Sequence, residues 1–110
     1  MKIFFRDKSL EKITSDYKSC IRKFGIRRAK LLIKRINTLY EVETLEDARF
    51  LPGNYHELKN IRKGQWACDL DHPYRLLFIP NIDPIPKDFS GKFNWKLIRS
   101  IVITEIVDYH

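Results

Sequence analysis

The chain has 110 residues, of which 44% are hydrophobic and 32% are charged, and its formal net charge is +7. This length and composition predict one soluble globular domain over residues 1–110 and exclude a disordered polypeptide. The excess of positive charge favours a polyanionic partner, either nucleic acid or an acidic protein. No apolar run is long enough to cross a bilayer and the first residues lack the apolar core of a signal peptide, so we expect a cytoplasmic protein without membrane contact.

The first part of the sequence predicts an edge strand followed by a helical hairpin. Lys2 to Phe5 is a short apolar segment typical of an edge strand. Apolar residues then recur at helical spacing from Leu10 to Phe24, and Gly25 is suited to end that helix. A second periodic run from Ala29 to Tyr40 follows at once, and the short link predicts an antiparallel pair of helices.

Basic residues occupy much of the second helix outside its apolar stripe. They are Arg27, Arg28, Lys30, Lys34 and Arg35. These side chains either solvate the outer face of the helix or extend a surface that binds phosphate or an acidic partner. After this helix, Thr44 and Asp47 match a capping box, which predicts a short helical turn through Arg49.

The stretch from Tyr55 to Pro80 predicts two β-hairpins. Its turns are Asn60 to Gly64, where glycine adopts positive φ easily, and Asp71 to Pro73. Between them, larger and smaller side chains alternate from Gln65 to Leu70, as in a strand with one buried face. The next run, Tyr74 to Ile79, is almost continuously apolar and has the character of a central strand.

Arg75 interrupts this apolar strand, and a cation in such a position requires a partner. One interpretation is an ion pair with Asp69 across the hairpin, because charges are seldom buried alone. The other is that the planar guanidinium lines a concave face and binds a phosphate with two hydrogen bonds. The sequence leaves both interpretations open.

The last part of the chain predicts a loop and a final strand. The segment from Asn81 to Lys96 directly follows Pro80 and contains two further prolines and a glycine, which together prevent a regular ladder. Its rings either anchor the loop or stack on bases; they belong to Phe89, Phe93 and Trp95. Leu97 to Val107 is rich in Ile and Val and predicts the last strand. The order of elements predicts an α+β fold, with the helical hairpin packed on one face of a mainly antiparallel sheet.

Several polar side chains form a set that suits the cleavage of RNA without a metal. Attack by the adjacent 2′-hydroxyl needs a base, cations that stabilise the phosphorane-like transition state, and an acid for the leaving 5′-oxygen. The unperturbed pKa of a histidine side chain is about 6.5, so His56 and His110 are candidates for base and acid, with the choice between them open. Lys59 and Arg75 are candidates for charge stabilisation.

Other residues would support this set. Asp108 would orient a histidine or arginine, and Tyr109 would stack on a base or assist proton transfer. Arg62 and Lys63, in the first turn of the central stretch, are candidates for RNA binding. His56 and Lys59 are an odd number of residues apart and face opposite sides of a straight strand, so their convergence requires a bend.

We expect neither a cofactor nor a metal. Cys20 and Cys68 are isolated at apolar positions, which indicates buried reduced thiols. The chain has no carboxylate cluster typical of a two-metal nuclease and no Gly-rich loop typical of nucleotide binding.

These motifs resemble those of the RelE/ParE superfamily of bacterial toxins, specifically its HigB (host-inhibition-of-growth, or plasmid maintenance killer) branch. The similarity lies in His56-x-Leu58-Lys59, Lys63-Gly64-x-Trp66, Tyr74-Arg75-Leu76-x-Phe78 and Asp108-Tyr109-His110. The resemblance implies a RelE-like fold and cleavage of messenger RNA in the ribosomal A site. It also implies a cognate antitoxin of the helix-turn-helix, HigA-like type. The loop from Asn81 to Lys96 is longer than the family pattern.

Two other functions are compatible with the same sequence. A ParE-like inhibitor of DNA gyrase would bind a protein target and need no acid-base set. A non-catalytic module would bind RNA with strong salt dependence and produce no new RNA ends. The terminal residues from Asp108 to His110 favour the nuclease, since a pure binding protein has little need of them.

Overall fold

A computed structural model describes residues 1–108, in which four α-helices accompany a five-stranded sheet. The strands are β1 (Lys2–Phe5), β2 (His56–Glu57), β3 (Trp66–Asp69), β4 (Tyr74–Pro80) and β5 (Ser100–Asp108). The helices are α1 (Lys8–Thr14), α2 (Tyr17–Phe24), α3 (Ile26–Glu41) and α4 (Leu45–Ala48). The predicted α+β class is confirmed. No helix among these residues has the length and apolar character needed to traverse a bilayer.

The sheet is mixed, and its strand order is β1-β5-β4-β3-β2. The outer strand β1 pairs in parallel with β5, whereas the other three pairings are antiparallel. The two hairpins predicted in the central stretch are confirmed as β2–β3 and β3–β4. A register shift between Leu77 and Phe78 interrupts the pairing of β4 with β5.

The main core lies between the helices and one face of the sheet. Alternate residues of three strands contribute buried side chains to it: Trp66, Cys68, Leu76, Phe78, Ile101 and Ile103. The helices supply further core residues, among them Leu10, Cys20, Ala29, Leu32, Ile36 and Leu39. Burial of one large apolar side chain contributes about 1.5–3 kcal/mol, so this layer holds the helices on the sheet.

A smaller cluster lies on the opposite side of the sheet. It consists of Leu58, Ala67 and Leu77, with Val107 packed against them. These residues alternate with those of the main core along their strands, and within residues 1–108 no helix residue belongs to the cluster. We call this side of the sheet the open face.

The prediction of one continuous helix from Leu10 to Phe24 is wrong, because the chain leaves helical geometry at Asp16. That residue has extended backbone angles (φ −126°, ψ 112°) and precedes α2 as its N-cap. Its carboxylate accepts a hydrogen bond from the Ser19 hydroxyl at 2.6 Å, while the Ser15 hydroxyl donates to the backbone carbonyl of Lys12 at 2.8 Å. Serine and aspartate side chains form local bonds of this kind, so they favour caps over helix interiors.

The last strand begins at Ser100 and not at the predicted Leu97. The residues Trp95–Leu97 form a 3₁₀ turn. The Ile98 carbonyl then accepts the backbone N–H of Leu45, the first residue of α4, at 2.9 Å. This segment therefore supports α4 before the chain enters the ladder with β1 and β4.

Other local predictions hold. Gly25 ends α2 with φ 83°, and the capping box is present, with the Thr44 N–H donating to an Asp47 carboxylate oxygen at 3.2 Å. Cys20 and Cys68 are fully buried free thiols, and burial raises the pKa of both.

Candidate functional site

Arg75 lies on β4 directly opposite Asp69 of β3. Its Nε is 3.3 Å from Asp69 Oδ1, so the ion pair across the hairpin is confirmed. The other carboxylate oxygen of Asp69 accepts a hydrogen bond from the Asn54 amide at 3.2 Å. The Arg75 and Asp69 side chains are 30% and 42% exposed, and an ion pair at such exposure contributes only about 0–1 kcal/mol. The contact of Arg75 with a phosphate stays a prediction.

His56 lies on the open face, because it pairs with Ala67 of the open-face cluster. Its Nδ1 is 2.6 Å from the backbone carbonyl oxygen of Asn54. A carbonyl oxygen only accepts hydrogen bonds, so Nδ1 carries the proton in this contact. In the neutral imidazole Nε2 is then the acceptor nitrogen, which is the form that a general base requires.

Arg62 also reaches the open face. Its Nη1 is 3.5 Å from Glu105 Oε1 and donates a hydrogen bond to Gln65 Oε1 at 3.2 Å. Glu105 is opposite Leu77 in the pairing of β4 with β5, which places it beside the open-face cluster. Our sequence interpretation overlooked Glu105, although a carboxylate inside an apolar strand is the same kind of signal as Arg75.

The strand register gives the spacing of the groups on this face. His56, Ala67 and Leu77 lie opposite one another on three neighbouring strands, and Arg75 is two residues before Leu77 on β4. Strands are about 4.8 Å apart and residues rise about 3.3 Å each, so the Cα atoms of His56 and Arg75 are about 12 Å apart. An imidazole and a guanidinium at this separation are able to approach one phosphodiester from two sides.

The hairpin that carries Arg75 is fixed to α3 by Arg28. The guanidinium of Arg28 bonds both carboxylate oxygens of Asp71, at 2.9 and 3.2 Å, and lies 3.4 Å from the centre of the Tyr74 ring. This hydrogen bonding holds the pKa of Asp71 below its usual range. From the same helix, Arg35 Nε donates to the backbone carbonyl of Asp69 at 2.7 Å.

Two other candidate residues, Lys59 and Lys63, point away from this group. Lys59 is exposed and follows Leu58 with an extended backbone (φ −121°, ψ 175°), so it stands on the side opposite His56, as its spacing predicts. The bend begins only at Asn60, where φ is 58°. Lys63 Nζ lies 5.5 Å from the ring centre of Phe93, in the loop after β4.

Asp108 is the last described residue of β5 and pairs with Tyr74. It alternates with Val107, which belongs to the open-face cluster, so Asp108 lies on the helix side of the sheet. Tyr109 and His110 lie outside the described residues. Their assigned roles, like that of Asp108, stay predictions.

The loop from Asn81 to Lys96 is anchored by two of its three rings. Trp95 is 5% exposed and its indole nitrogen donates to Glu57 Oε2 at 3.0 Å, while Phe93 packs against it with ring centres 5.2 Å apart. Phe89 is fully exposed. Phe93 and Trp95 thus contribute to anchoring the loop.

Within residues 1–108, no three side chains of the His, Cys, Asp and Glu types are placed to hold a metal ion. Comparison with models of known protein families, with curated proteins and with solved structures gives no match. The resemblance to the RelE/ParE superfamily therefore depends on the motifs quoted above.

Proposed function

We propose that this protein is the toxin of a type II toxin-antitoxin system and cuts messenger RNA on the ribosome. The observation that carries the proposal is the open face, where His56, Arg62 and Arg75 surround an apolar cluster. The net charge of +7 supports a polyanionic substrate. Helices on one side of the sheet and cations on the other also suit the RelE-like arrangement that the motifs imply.

The chemistry would begin at His56. Its Nε2 accepts the proton of the 2′-hydroxyl, the 2′-oxygen attacks phosphorus, and the bond from phosphorus to the 5′-oxygen breaks. Arg75 and Arg62 stabilise the additional negative charge on the phosphate oxygens in the transition state. The leaving 5′-oxygen takes a proton from an acid, for which His110 is the candidate. The products are a 2′,3′-cyclic phosphate and a free 5′-hydroxyl.

The partners follow from the resemblance. A helix-turn-helix antitoxin would neutralise the toxin, and the ribosomal A site would present the messenger RNA. Lys59 would contact a phosphate from the edge of the sheet. Asp108 faces the helix side of the sheet, so of the terminal residues before His110 only Tyr109 stays a candidate to stack on a base of the RNA.

A pair of substitutions separates a catalytic role of Arg75 from a structural one. Arg75→Gln removes the cation, whereas Asp69→Asn keeps the cation and removes the negative charge that faces it across the hairpin. Loss of one group that stabilises transition-state charge lowers rates by about 100-fold or more. We expect that loss for Arg75→Gln in ribosome-dependent cleavage of a defined messenger RNA, and no loss for Asp69→Asn.

The matched control is Arg22→Gln, which removes an exposed arginine from α2. It should cleave like the wild type. Equal losses in Arg75→Gln and Asp69→Asn would show that the ion pair acts only in folding, and the proposed site would be wrong.

A further inference from the structure

A cleft of about 350 Å³ lies where the residues after β2 meet the loop from Asn81 to Lys96. Its walls include three lysines, one from the β2–β3 connection and two from the loop: Lys63, Lys87 and Lys92. The ring of Phe93 forms part of the same wall, and Glu57 and Asp88 are the acidic residues. Glu57 pairs with Trp66 of the main core, so the cleft belongs to the helix side of the sheet and not to the open face.

Both acidic side chains of the cleft are engaged by other groups. Glu57 accepts the indole N–H of Trp95 at 3.0 Å and lies 3.6 Å from an Arg49 nitrogen. Asp88 accepts the backbone N–H of Ser90 at 2.8 Å and its hydroxyl at 2.6 Å, and these bonds lower the pKa of the carboxyl. The carboxylates therefore organise the cleft and its loop.

Two of the three lysine ammonium groups of the cleft lie near its aromatic ring. Lys63 Nζ and Lys87 Nζ lie 5.5 and 6.0 Å from the centre of the Phe93 ring. Among residues 1–108, none of the three cleft lysines takes part in an ion pair. The cleft thus holds three lysine ammonium groups, two of them over the Phe93 ring, and two carboxylates that are already hydrogen-bonded.

We propose that this cleft binds a nucleotide, with its phosphate between the lysine ammonium groups and its base against Phe93. Lysine is a compact cation that suits phosphate, and aromatic side chains stack on any base. The volume is within the range of about 300–1,000 Å³ that is usual for small-molecule sites. The nucleotide is either free or part of a single RNA strand, since both present a phosphate ester next to a planar ring. An acidic peptide would satisfy the lysines without a use for the ring.

This site goes beyond the proposed cleavage function and does not depend on it. The test is isothermal titration of the full chain with AMP, with inorganic phosphate and with adenosine, at physiological salt and without ribosomes. Stacking of one base corresponds to about tenfold in affinity, so AMP should bind at least tenfold more tightly than phosphate. Phe93→Leu should remove this advantage and leave phosphate binding unchanged.

Lys87→Gln is a surface change that does not endanger folding, and it should weaken AMP binding about tenfold or more. Lys96→Gln is the matched control, because Lys96 is exposed in the same loop and does not line the cleft. Arg75→Gln should also bind AMP normally, which separates this site from the proposed active site.

A 5′-phosphorylated tri-adenylate distinguishes the two sources of the ligand. Binding as tight as that of AMP, and equally sensitive to Lys87→Gln, would identify single-stranded RNA; binding of AMP alone would identify a free nucleotide. Equal affinities for AMP and phosphate, or wild-type affinity in Lys87→Gln, would overturn the proposal. Tighter binding of a glutamate peptide of equal charge than of the trinucleotide would overturn it in favour of an acidic protein.

Discussion

The contact between Arg28 and Asp71 is the perturbation for which the structure gives the clearest magnitude. It joins α3 to the turn of the hairpin that carries Arg75, and the two side chains are only 20% and 16% exposed. Exposed ion pairs contribute about 0–1 kcal/mol, whereas hydrogen bonds to charged groups contribute about 1.5–3 kcal/mol. Arg28 makes two hydrogen bonds to the Asp71 carboxylate and the pair is partly buried, so its contribution should lie at the lower end of the range for hydrogen bonds to charged groups. We therefore expect a coupling energy of about 1.5 kcal/mol.

The single variants should differ in a predictable way. Arg28→Met also loses the stacking of the guanidinium on Tyr74, which is worth about 0.5–1 kcal/mol, so its free energy of unfolding should fall by about 2 kcal/mol. That loss corresponds to a decrease in Tm of roughly 8 °C for a domain of this size. Urea unfolding of the wild type, Arg28→Met, Asp71→Asn and the double variant gives the coupling energy directly. A coupling below about 0.5 kcal/mol would refute the reasoning, since that is the value of an exposed pair.

The same pair predicts a dependence on pH. The pKa of Asp71 is lowered in the folded protein, so its contribution is fully present above the unfolded pKa, about 3.9. This contribution to stability is lost as the pH falls through the pKa that Asp71 has in the folded protein, which lies below the unfolded value. The difference in stability between the wild type and Asp71→Asn should be constant from pH 7 to pH 5 and disappear in stronger acid. A difference that persists at pH 2 would show that it does not arise from the charge on Asp71.

Two further predictions concern the fold. In urea unfolding, Gly53→Ala should destabilise the protein by about 2 kcal/mol more than Gly91→Ala. Both glycines have positive φ, but only at Gly53 would an added Cβ lie 2.7 Å from a carbon of Tyr55. Equal effects of the two substitutions would contradict the packing around Gly53. Cys20 and Cys68 should resist a thiol reagent in the native protein at pH 8 and react in urea, since both are buried and burial raises both pKa values; rapid native labelling would contradict their burial.

The sequence allowed prediction of those features that depend on local spacing. The alternation around Trp66 and the turn chemistry at Gly64 predicted the β2–β3–β4 meander, which the structure has. The pairing of Arg75 with Asp69 followed as one of two interpretations, because a two-strand hairpin fixes which residues are opposite. The placement of His56 and Lys59 on opposite sides of the sheet was also predictable, because side chains alternate between the two faces along a strand.

Two kinds of feature were not predictable: those in which side-chain hydrogen bonds compete with helix formation, and those that depend on contacts between residues far apart in the sequence. The hydrophobic stripe through Ile13 and Tyr17 continues across Ser15 and Asp16, so periodicity alone did not reveal that their side chains would break the helix. The role of Glu105 required knowledge that β5 lies beside β4 with a register that brings it to Arg62.

The two RNA-binding candidates illustrate the same limit. Arg62 and Lys63 are adjacent in sequence, and both were predicted to contact RNA. In the fold they diverge, with Arg62 directed to Glu105 beside the open face and Lys63 to Phe93 in the cleft. Only the placement of the loop from Asn81 to Lys96 against β2 creates that cleft, and no local pattern encodes it.

The measurement that tests the proposed function most directly is the mapping of 5′ ends of cellular transcripts after brief expression of the protein. The wild type should produce new ends confined to translated regions and in register with codons, and Arg75→Gln should produce none. Growth arrest by the wild type without new ends would contradict RNA cleavage. Double-strand DNA breaks in that case, with translation initially intact, would identify gyrase as the target.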